Sequence, residues 1–293
     1  MILVSCVHIP VTKEWQKSIK QFDKIFITND GSYTYKFETL DGYEDFLLYD
    51  FIHKSAASKN YALYRAYFEE EDVCIVDSDC IIPKDFQNKH LLALSQKTGE
   101  WDNPLQGTGF YSRGYPLCRD KEVVANVGLW TEVLDINGMD RAENEPKKPL
   151  ITGSQISRSF IPFSGMNVAI KREAIPALFF LPNFGDFRRH DDIYGGYIFQ
   201  SIAKKKGDYI SYGEPFVKHI SEVNAYEDKA AEGEMICYQE EFNQLVDDAI
   251  SRVKVGTYKD TYKDFVSKVK FKGTRFEELL KPMKIWVSLF QAL

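Results

Sequence analysis

Two carboxylates stand one residue apart in Asp77-Ser78-Asp79, directly after the apolar run Val73-Cys74-Ile75-Val76. In an extended chain residues i and i+2 project from the same side, so both can face one hard cation such as Mg2+ or Mn2+. That cation can neutralise the charge developing on a diphosphate leaving group. Acidic pairs are also ordinary turn formers, but carboxylates at the end of a fully apolar strand are costly without a cation or donors. His219 ends the run Pro215 to Lys218 and offers an imidazole to the same cation, with a plain core or surface histidine as the alternative. Asp191 and Asp192 follow Arg188-Arg189-His190 and open a helical pattern. They are either an N-cap with an acidic first turn or carboxylates offered to an acceptor hydroxyl or a developing oxocarbenium ion.

These residues need a scaffold that brings distant segments together. Short apolar runs at Ile2 to Val7, Lys24 to Thr28, Phe46 to Tyr49 and Val73 to Val76 alternate with amphipathic stretches. That pattern predicts strands alternating with helices in an α/β fold with a largely parallel sheet. Ligands of such sheets sit outside the C-terminal strand ends, where Asp77 and Asp79 fall. A helix is predicted over Ser55 to Phe68, and long loops over the site from Trp101 to Gly153, where Gly, Pro, Asn and charge dominate. Phe163 to Ile170 reads as a strand and Arg172 to Phe179 as a short helix. A longer helix follows from Asp191 to Lys205, then extended pieces at Tyr209 to Ser211 and Pro215 to His219, and helix from Glu227 onward. The suggested division is a catalytic domain over 1–226 and a helical, basic extension over 227–293.

With 293 residues, 44% apolar and 27% charged, the chain can bury one large core or two modest ones. The start MILVSCVHIP lacks a basic leader, and no apolar run approaches the roughly 20 residues of a membrane span, which predicts a cytoplasmic protein. Five cysteines form no CxxC pair and are expected as buried free thiols. The segment from Arg252 to Lys284 carries ten Lys/Arg against four acids, +6 within a chain of −6, so the remainder is −12. Such a segment either binds a polyanionic or glycan acceptor, with Tyr258, Tyr262, Phe265, Phe271 and Phe276 stacking on it, or packs as an ordinary amphipathic face.

Arg113-Gly114-Tyr115-Pro116, Gly128-Leu129-Trp130, Gly165-Met166-Asn167, Asp191-Asp192 with Gly196, and His219 occur in the order and approximate spacing of the reversibly glycosylated polypeptides, the UDP-arabinopyranose mutase family. The chain resembles that family from about Asn29 to about Tyr238. The resemblance implies a GT-A-like nucleotide-diphospho-sugar fold, a UDP-sugar ligand and Mn2+ or Mg2+. It further implies Asp30 near the uridine, Lys59 near the diphosphate, Gly165 and Asn167 at the substrate, and Asp77, Asp79 and His219 around the metal. Arg113 stands at the position that receives sugar reversibly in the family. A guanidinium, with its pKa above 12, becomes nucleophilic only if a carboxylate such as Asp191 or Asp192 takes its proton; pairing with the diphosphate is the simpler role for Arg113. Ser78 stands where the plant members carry a third aspartate. The first thirty residues, the basic segment and the closing KIWVSLFQAL fall outside the resemblance.

Three readings follow. The first is glycosyl transfer from a UDP-sugar, either as a mutase or self-glycosylating protein or toward a separate acceptor such as a polysaccharide or nucleic acid. The second is a non-catalytic sugar-nucleotide-binding partner, and a homo-oligomer is compatible with either. A nucleotidyltransferase is the third, without a Gly-rich phosphate loop in support.

Overall fold

The computed structural model describes residues 1–29, 56–98, 104–105, 108, 110–116, 121–143, 151–184, 189–220 and 224–291. The strand expected at Phe46 to Tyr49, Ser55, Asp30 and Cys118 lie outside the described residues.

Among the described residues nine strands form one sheet: β1 (Ile2–Val7), β2 (Ile25–Asn29), β3 (Val73–Val76), β4 (Cys80–Ile81), β5 (Lys97–Thr98), β6 (Lys121–Glu132), β7 (Ser154–Ser157), β8 (Asn167–Ile170) and β9 (Tyr209–His219). The order is β2-β1-β3-β8-β6-β9-β4, with β5 on β6 and β7 on β9. Strand β1 pairs parallel with β2 and β3, and β6 pairs parallel with β9. Because β8 runs antiparallel to both β3 and β6, strands β2, β1, β3, β6 and β9 all point one way. The sheet is thus mostly parallel in direction, and its common C-terminal edge collects the ends of β1, β3, β6 and β9 with the start of β8.

Helices flank the sheet: α1 (Lys13–Ser18), α2 (Lys59–Tyr67), α3 (Phe86–Leu94), α4 (Gly138–Glu143), α5 (Asp191–Lys206), α6 (Ala225–Ser251), α7 (Tyr258–Lys268) and α8 (Leu280–Leu289). The two-residue period of the strands sorts their side chains between two faces. Ile2, Val4, Val73 and Ile75 join one core cluster, while Leu3, Val7, Cys74 and Val76 join the other with Trp15 and Phe86. Burial on both faces explains why β1 and β3 read as unbroken apolar runs.

The stretch expected as long loops contains β6, twelve residues from Lys121 to Glu132. Asn126 and Gly128 interrupt its apolar pattern, and both have packing reasons. A Cβ at Gly128 would lie 2.2 Å from Asn167 Nδ2, so only glycine allows that side chain to cross the strand. The two extended pieces expected near the end of the sheet are one strand, β9, whose register slips at Gly213 to Phe216 opposite Gly128 and Leu129. Side chains repair the slip: Asn126 Nδ2 donates to Glu214 O at 2.8 Å and Asn167 Nδ2 to Pro215 O at 2.9 Å.

The C-terminal extension is helical, and its apolar side is continuous with the core under the sheet. Tyr262, Phe265, Phe271, Phe276, Met283, Trp286 and Phe290 are each 1% exposed or less and belong to the cluster containing Ile2 and Val73. Trp286 Nε1 donates to Pro176 O at 3.0 Å. The five aromatics between the lysines, Tyr258 included, are therefore core residues, closed to stacking on a polymer. Cys6, Cys74 and Cys80 are buried free thiols, whereas Cys237 is exposed, because it sits on the outer face of α6. Among the described residues no helix is long and apolar enough to cross a membrane.

Candidate functional site

The turn Asp77-Ser78-Asp79 leaves β3 with its backbone fixed from four directions. Asp77 N donates to Met166 O at 3.1 Å, and Asp77 O accepts from Cys80 N at 3.1 Å. It also accepts from the fully buried indole of Trp15, at 3.1 Å. Beyond the turn, Ile220 N donates to Asp79 O at 3.0 Å, and Cys80 pairs with His219 across β4 and β9. That pairing places Asp79 beside His219 before any ligand binds, the preorganisation a binding constellation needs.

Asp79 and His219 are each 5% exposed, and His219 Nε2 lies 3.3 Å from Asp79 Oδ2. The other ring nitrogen, Nδ1, is 2.8 Å from Val133 O. A carbonyl only accepts, so Nδ1 carries the hydrogen and the lone pair of a neutral ring faces the carboxylate. Either a proton or a metal ion must then sit between them. Burial by itself raises the Asp79 carboxyl, but the imidazoles of His219 and His8 outweigh it and hold it below its ordinary value. Burial likewise lowers His219, and Asp79 outweighs it to hold the imidazole above its usual value. A buried carboxylate facing a tautomer-locked imidazole is a donor pair that fits a divalent cation. Among the described residues no three His, Cys, Asp or Glu side chains converge as a ready-made cage.

Asp77 is engaged elsewhere. Its Oδ1 is ion-paired with Lys59 Nζ, and Lys59 is 2% exposed. Lys59 Nζ also donates to Gly165 O at 3.0 Å and lies 5.6 Å from the Phe180 ring centre. Burial lowers the Lys59 ammonium, yet the charges of Asp77 and Asp192 prevail and keep it above its ordinary value. The chain of contacts continues: Gly165 N donates to Asp192 Oδ2 at 2.8 Å. There is no room for a side chain at 165, where a Cβ would lie 2.9 Å from Phe180. One polar line therefore joins Asp77, Lys59, Gly165 and Asp192.

Asp191 and Asp192 do open a helix, α5. Asp191 Oδ2 accepts from Ala56 N at 2.5 Å and its Oδ1 from Asp192 N at 3.2 Å, which ties α5 to the turn preceding α2. Asp192 is pushed up to about 7 by desolvation first and then by the negative charge of Asp191. A carboxyl raised that far can exchange a proton near neutrality. Arg189, three residues earlier, is held by Asp228 at 3.0 Å and Glu232 at 3.4 Å.

Asn167 lies at the back of the site, 1% exposed. Its amide donates to Leu129 O at 3.0 Å and Pro215 O at 2.9 Å, and its Oδ1 accepts from His90 Nε2 at 3.0 Å. His90 Nδ1 in turn accepts from Asn126 Nδ2 at 2.9 Å. Burial drives His90 down to about 3, so the ring is neutral and the network is internally satisfied. The structure spends Asn167 on sheet geometry. Arg113 is exposed in the 110–116 segment, whereas Asp191 and Asp192 bond to Ala56 and Gly165.

Two residues join the site that the sequence reading passed over. His8, the first residue after β1, reaches Asp79 Oδ2 with its Nε2 at 3.8 Å. Its place at a parallel-strand end was the available signal. Asp135, just past β6, is raised by burial against the opposing pull of Ser164, His219, Arg189 and Arg141. Its strand was hidden by the Asn126 and Gly128 interruptions.

In the C-terminal helical segment, Lys272, Lys281 and Lys284 border a groove of about 620 Å3 with Glu277, Leu280, Ile285 and Ser288. These lysines belong to the basic segment.

The sequence model of the family described as "Reversibly glycosylated polypeptide" matches residues 11–293. A Pisum sativum protein named "Probable UDP-arabinopyranose mutase 1" is 25% identical over 248 residues, covering 74% of this chain and 67% of the pea protein. The family match extends past the expected limits at about Asn29 and Tyr238. It takes in the basic segment and KIWVSLFQAL, consistent with their packing into the main core.

Proposed function

Because this chain belongs to the reversibly glycosylated polypeptide family, we propose that it binds a UDP-sugar at the C-terminal edge of its sheet and moves the glycosyl group, as a UDP-sugar mutase or self-glycosylating enzyme. The observation that carries this reading is the Asp79–His219 pair, buried and preorganised where the strand ends meet. Asp79 and His219 hold Mn2+ or Mg2+ there, and the cation supplies charge neutralisation for the diphosphate when bound. Lys59, whose positive charge is set between Asp77 and the Gly165 carbonyl, turns toward a phosphate oxygen when the nucleotide arrives. Asp77 is then released to the ligand. Asp30, expected at the uridine, lies outside the described residues.

In the transfer step the bond between the anomeric carbon and the diphosphate breaks and UDP leaves with its electron pair. With Arg113 as acceptor, a carbon–nitrogen bond forms and the displaced guanidinium proton passes to Asp192, whose proton affinity is matched to neutral pH. This route requires the 110–116 segment to approach α5. A separate acceptor is the second reading, favoured by the exposed lysines that remain on the tail after its aromatics are buried. In that case a hydroxyl takes the place of Arg113.

The deciding experiment incubates the protein with a panel of UDP-sugars and Mn2+ and analyses both the small molecules and the intact protein mass. Isomerised UDP-sugar, or a pentose or hexose adduct on the peptide containing Arg113, supports the mutase reading. Free UDP formed only when a glycan is added supports a separate acceptor. Binding of UDP-sugar without any of these products leaves a non-catalytic binder and refutes the proposal.

A further inference from the structure

We propose that Arg189 is a positioning residue for Asp192: gripped by Asp228 and Glu232 of α6, it holds the turn before α5 in a left-handed conformation and so fixes where the Asp192 carboxyl stands. The inference rests on the reading that Asp192 takes a proton during glycosyl transfer, and adds to it the part of the fold that keeps that carboxyl in place.

Arg189 has φ +56°, in the left-handed region that residues other than glycine, asparagine and aspartate seldom enter. Such a conformation persists only where the surroundings over-determine it. Here the residue is held at both ends. On the backbone side, His190 is fully buried, with Nε2 3.1 Å from Pro182 O and its ring edge-on to Phe184 at 5.1 Å. Asp191 and Asp192 follow at once, bonded to Ala56 N and Gly165 N. At the other end, Arg189 Nη1 is 3.0 Å from Asp228 Oδ1 and Nε is 3.4 Å from Glu232 Oε1.

The grip is itself anchored. Asp228 and Glu232 are four residues apart and share one face of α6. Glu232, 5% exposed, accepts from Gly138 N at 2.7 Å through its other oxygen, and Asp228 Oδ2 lies 3.7 Å from Arg141 Nε. Arg141 Nη2 donates to Leu134 O at 2.8 Å, beside Asp135. Helices α4 and α6 meet backbone to backbone, since a Cβ at Gly138 would lie 2.4 Å from Lys229 N. The two carboxylates are therefore fixed, and a return of residue 189 to negative φ would swing its guanidinium off both.

The groups that act on Asp192 come from four places: Asp191 on α5, Asp135 after β6, Lys59 on α2 and the Gly165 N–H before β8. Desolvation is the largest influence and raises the carboxyl. Releasing the turn lets the start of α5 move, admits water and drops Asp192 toward its ordinary value. Removing the guanidinium charge alone acts the other way, because losing a cation favours the neutral carboxyl. The sign of the change thus separates position from charge.

The test uses the full chain without ligand, titrated from about pH 4 to 9. The carbonyl stretch of protonated Asp192 is followed by infrared difference between each protein and its Asp192→Asn counterpart. The wild-type band is expected to titrate at about 7. In Arg189→Ala it should titrate about one pH unit lower or more, and Arg189→Lys, which keeps a cation without the planar fork, should recover part of the shift. Glu232→Gln keeps an acceptor for Gly138 N but turns an amide N–H on Arg189, so it should lower the titration as well. It decides the matter if Arg189→Ala misfolds by circular dichroism. An unmoved or raised titration in a folded Arg189 or Glu232 variant overturns the positioning role, even where Tm falls. A wild-type band that titrates near 4 overturns it too, since Asp192 is then already open to water. Full turnover of a UDP-sugar by Asp192→Asn overturns instead the reading of Asp192 as proton acceptor, and the titrations still judge Arg189.

Discussion

Replacing Lys59 by methionine removes the one cation inside the polar line from Asp77 to Asp192 while keeping nearly the same length of apolar chain. Lys59 is 2% exposed, its ammonium pairs with Asp77 and donates to Gly165 O at 3.0 Å, and Asp192 adds a further attraction. Breaking a buried pair by removing one partner costs about 3–5 kcal/mol, because the remaining charge is left without compensation. Asp77 keeps 18% of its side-chain surface exposed, so water can reach it, and the lower end, about 3 kcal/mol, is expected here. At about 2–4 °C per kcal/mol, that is a fall of about 6–12 °C in Tm. The double variant Lys59→Met/Asp77→Asn removes both charges and should recover at least half of the loss, since replacing a whole buried pair is often close to neutral. Thermal unfolding of the four proteins of this cycle, without ligand, gives the coupling directly. If the double variant is no more stable than Lys59→Met alone, the pair is not what Lys59 contributes, and the argument from unpaired charge fails.

The raised Asp192 carboxyl makes folding bind a proton that the unfolded chain, near its ordinary 3.8, does not hold. The stability it contributes is present below pH 4 and is lost as pH climbs toward 7, so Asp192→Asn should flatten the difference in urea-unfolding free energy between pH 4.5 and 7.5; an unchanged pH slope would contradict this. Gly128→Ala drives a methyl into Asn167 and should cost more than 2 kcal/mol, about what overpacking costs. Gly128→Ala/Asn167→Ala should be less damaging than the sum of the two single changes, as chemical denaturation will show. Trp286→Ala should lower stability by about 3–5 kcal/mol in one cooperative transition, because the tail shares its core with the sheet; separate melting of a tail in calorimetry would refute the shared core.

What was legible in the sequence was local. The unbroken apolar character of Val73 to Val76 and the acidic turn after it located the sheet edge, and the helix opening at Asp191 fell where its pattern placed it. The strand Lys121–Glu132 was lost to a period argument because its two interruptions, Asn126 and Gly128, are satisfied only by residues 36 to 88 positions away in the chain. Asn167 failed to announce its structural role for the same reason: its three partners come from α3, β6 and β9. The tail's charge count pointed outward, while the alternating aromatics, half of the same pattern, point inward and fix the helices to the core.

The segment 165–167 explains why structural and functional polar groups can lie so close without competing. Gly165 belongs to the site: its carbonyl accepts from Lys59 and its N–H donates to Asp192. Met166 O holds the start of the acidic turn. Asn167 belongs to the sheet, with its side chain spent on three partners that include a neutral histidine. Three consecutive residues thus connect the raised Asp192 carboxyl, the acidic turn and the strand slip opposite Gly128. The charged side of this joint holds the buried Lys59–Asp77 pair, with Asp192 adding a further attraction to the ammonium. On its other side the histidine that meets Asn167 is neutral, since burial drives His90 down to about 3. Asn167 therefore meets a neutral ring and two carbonyl oxygens rather than a charge, so its hydrogen bonds do not depend on the pairing of Lys59 with Asp77.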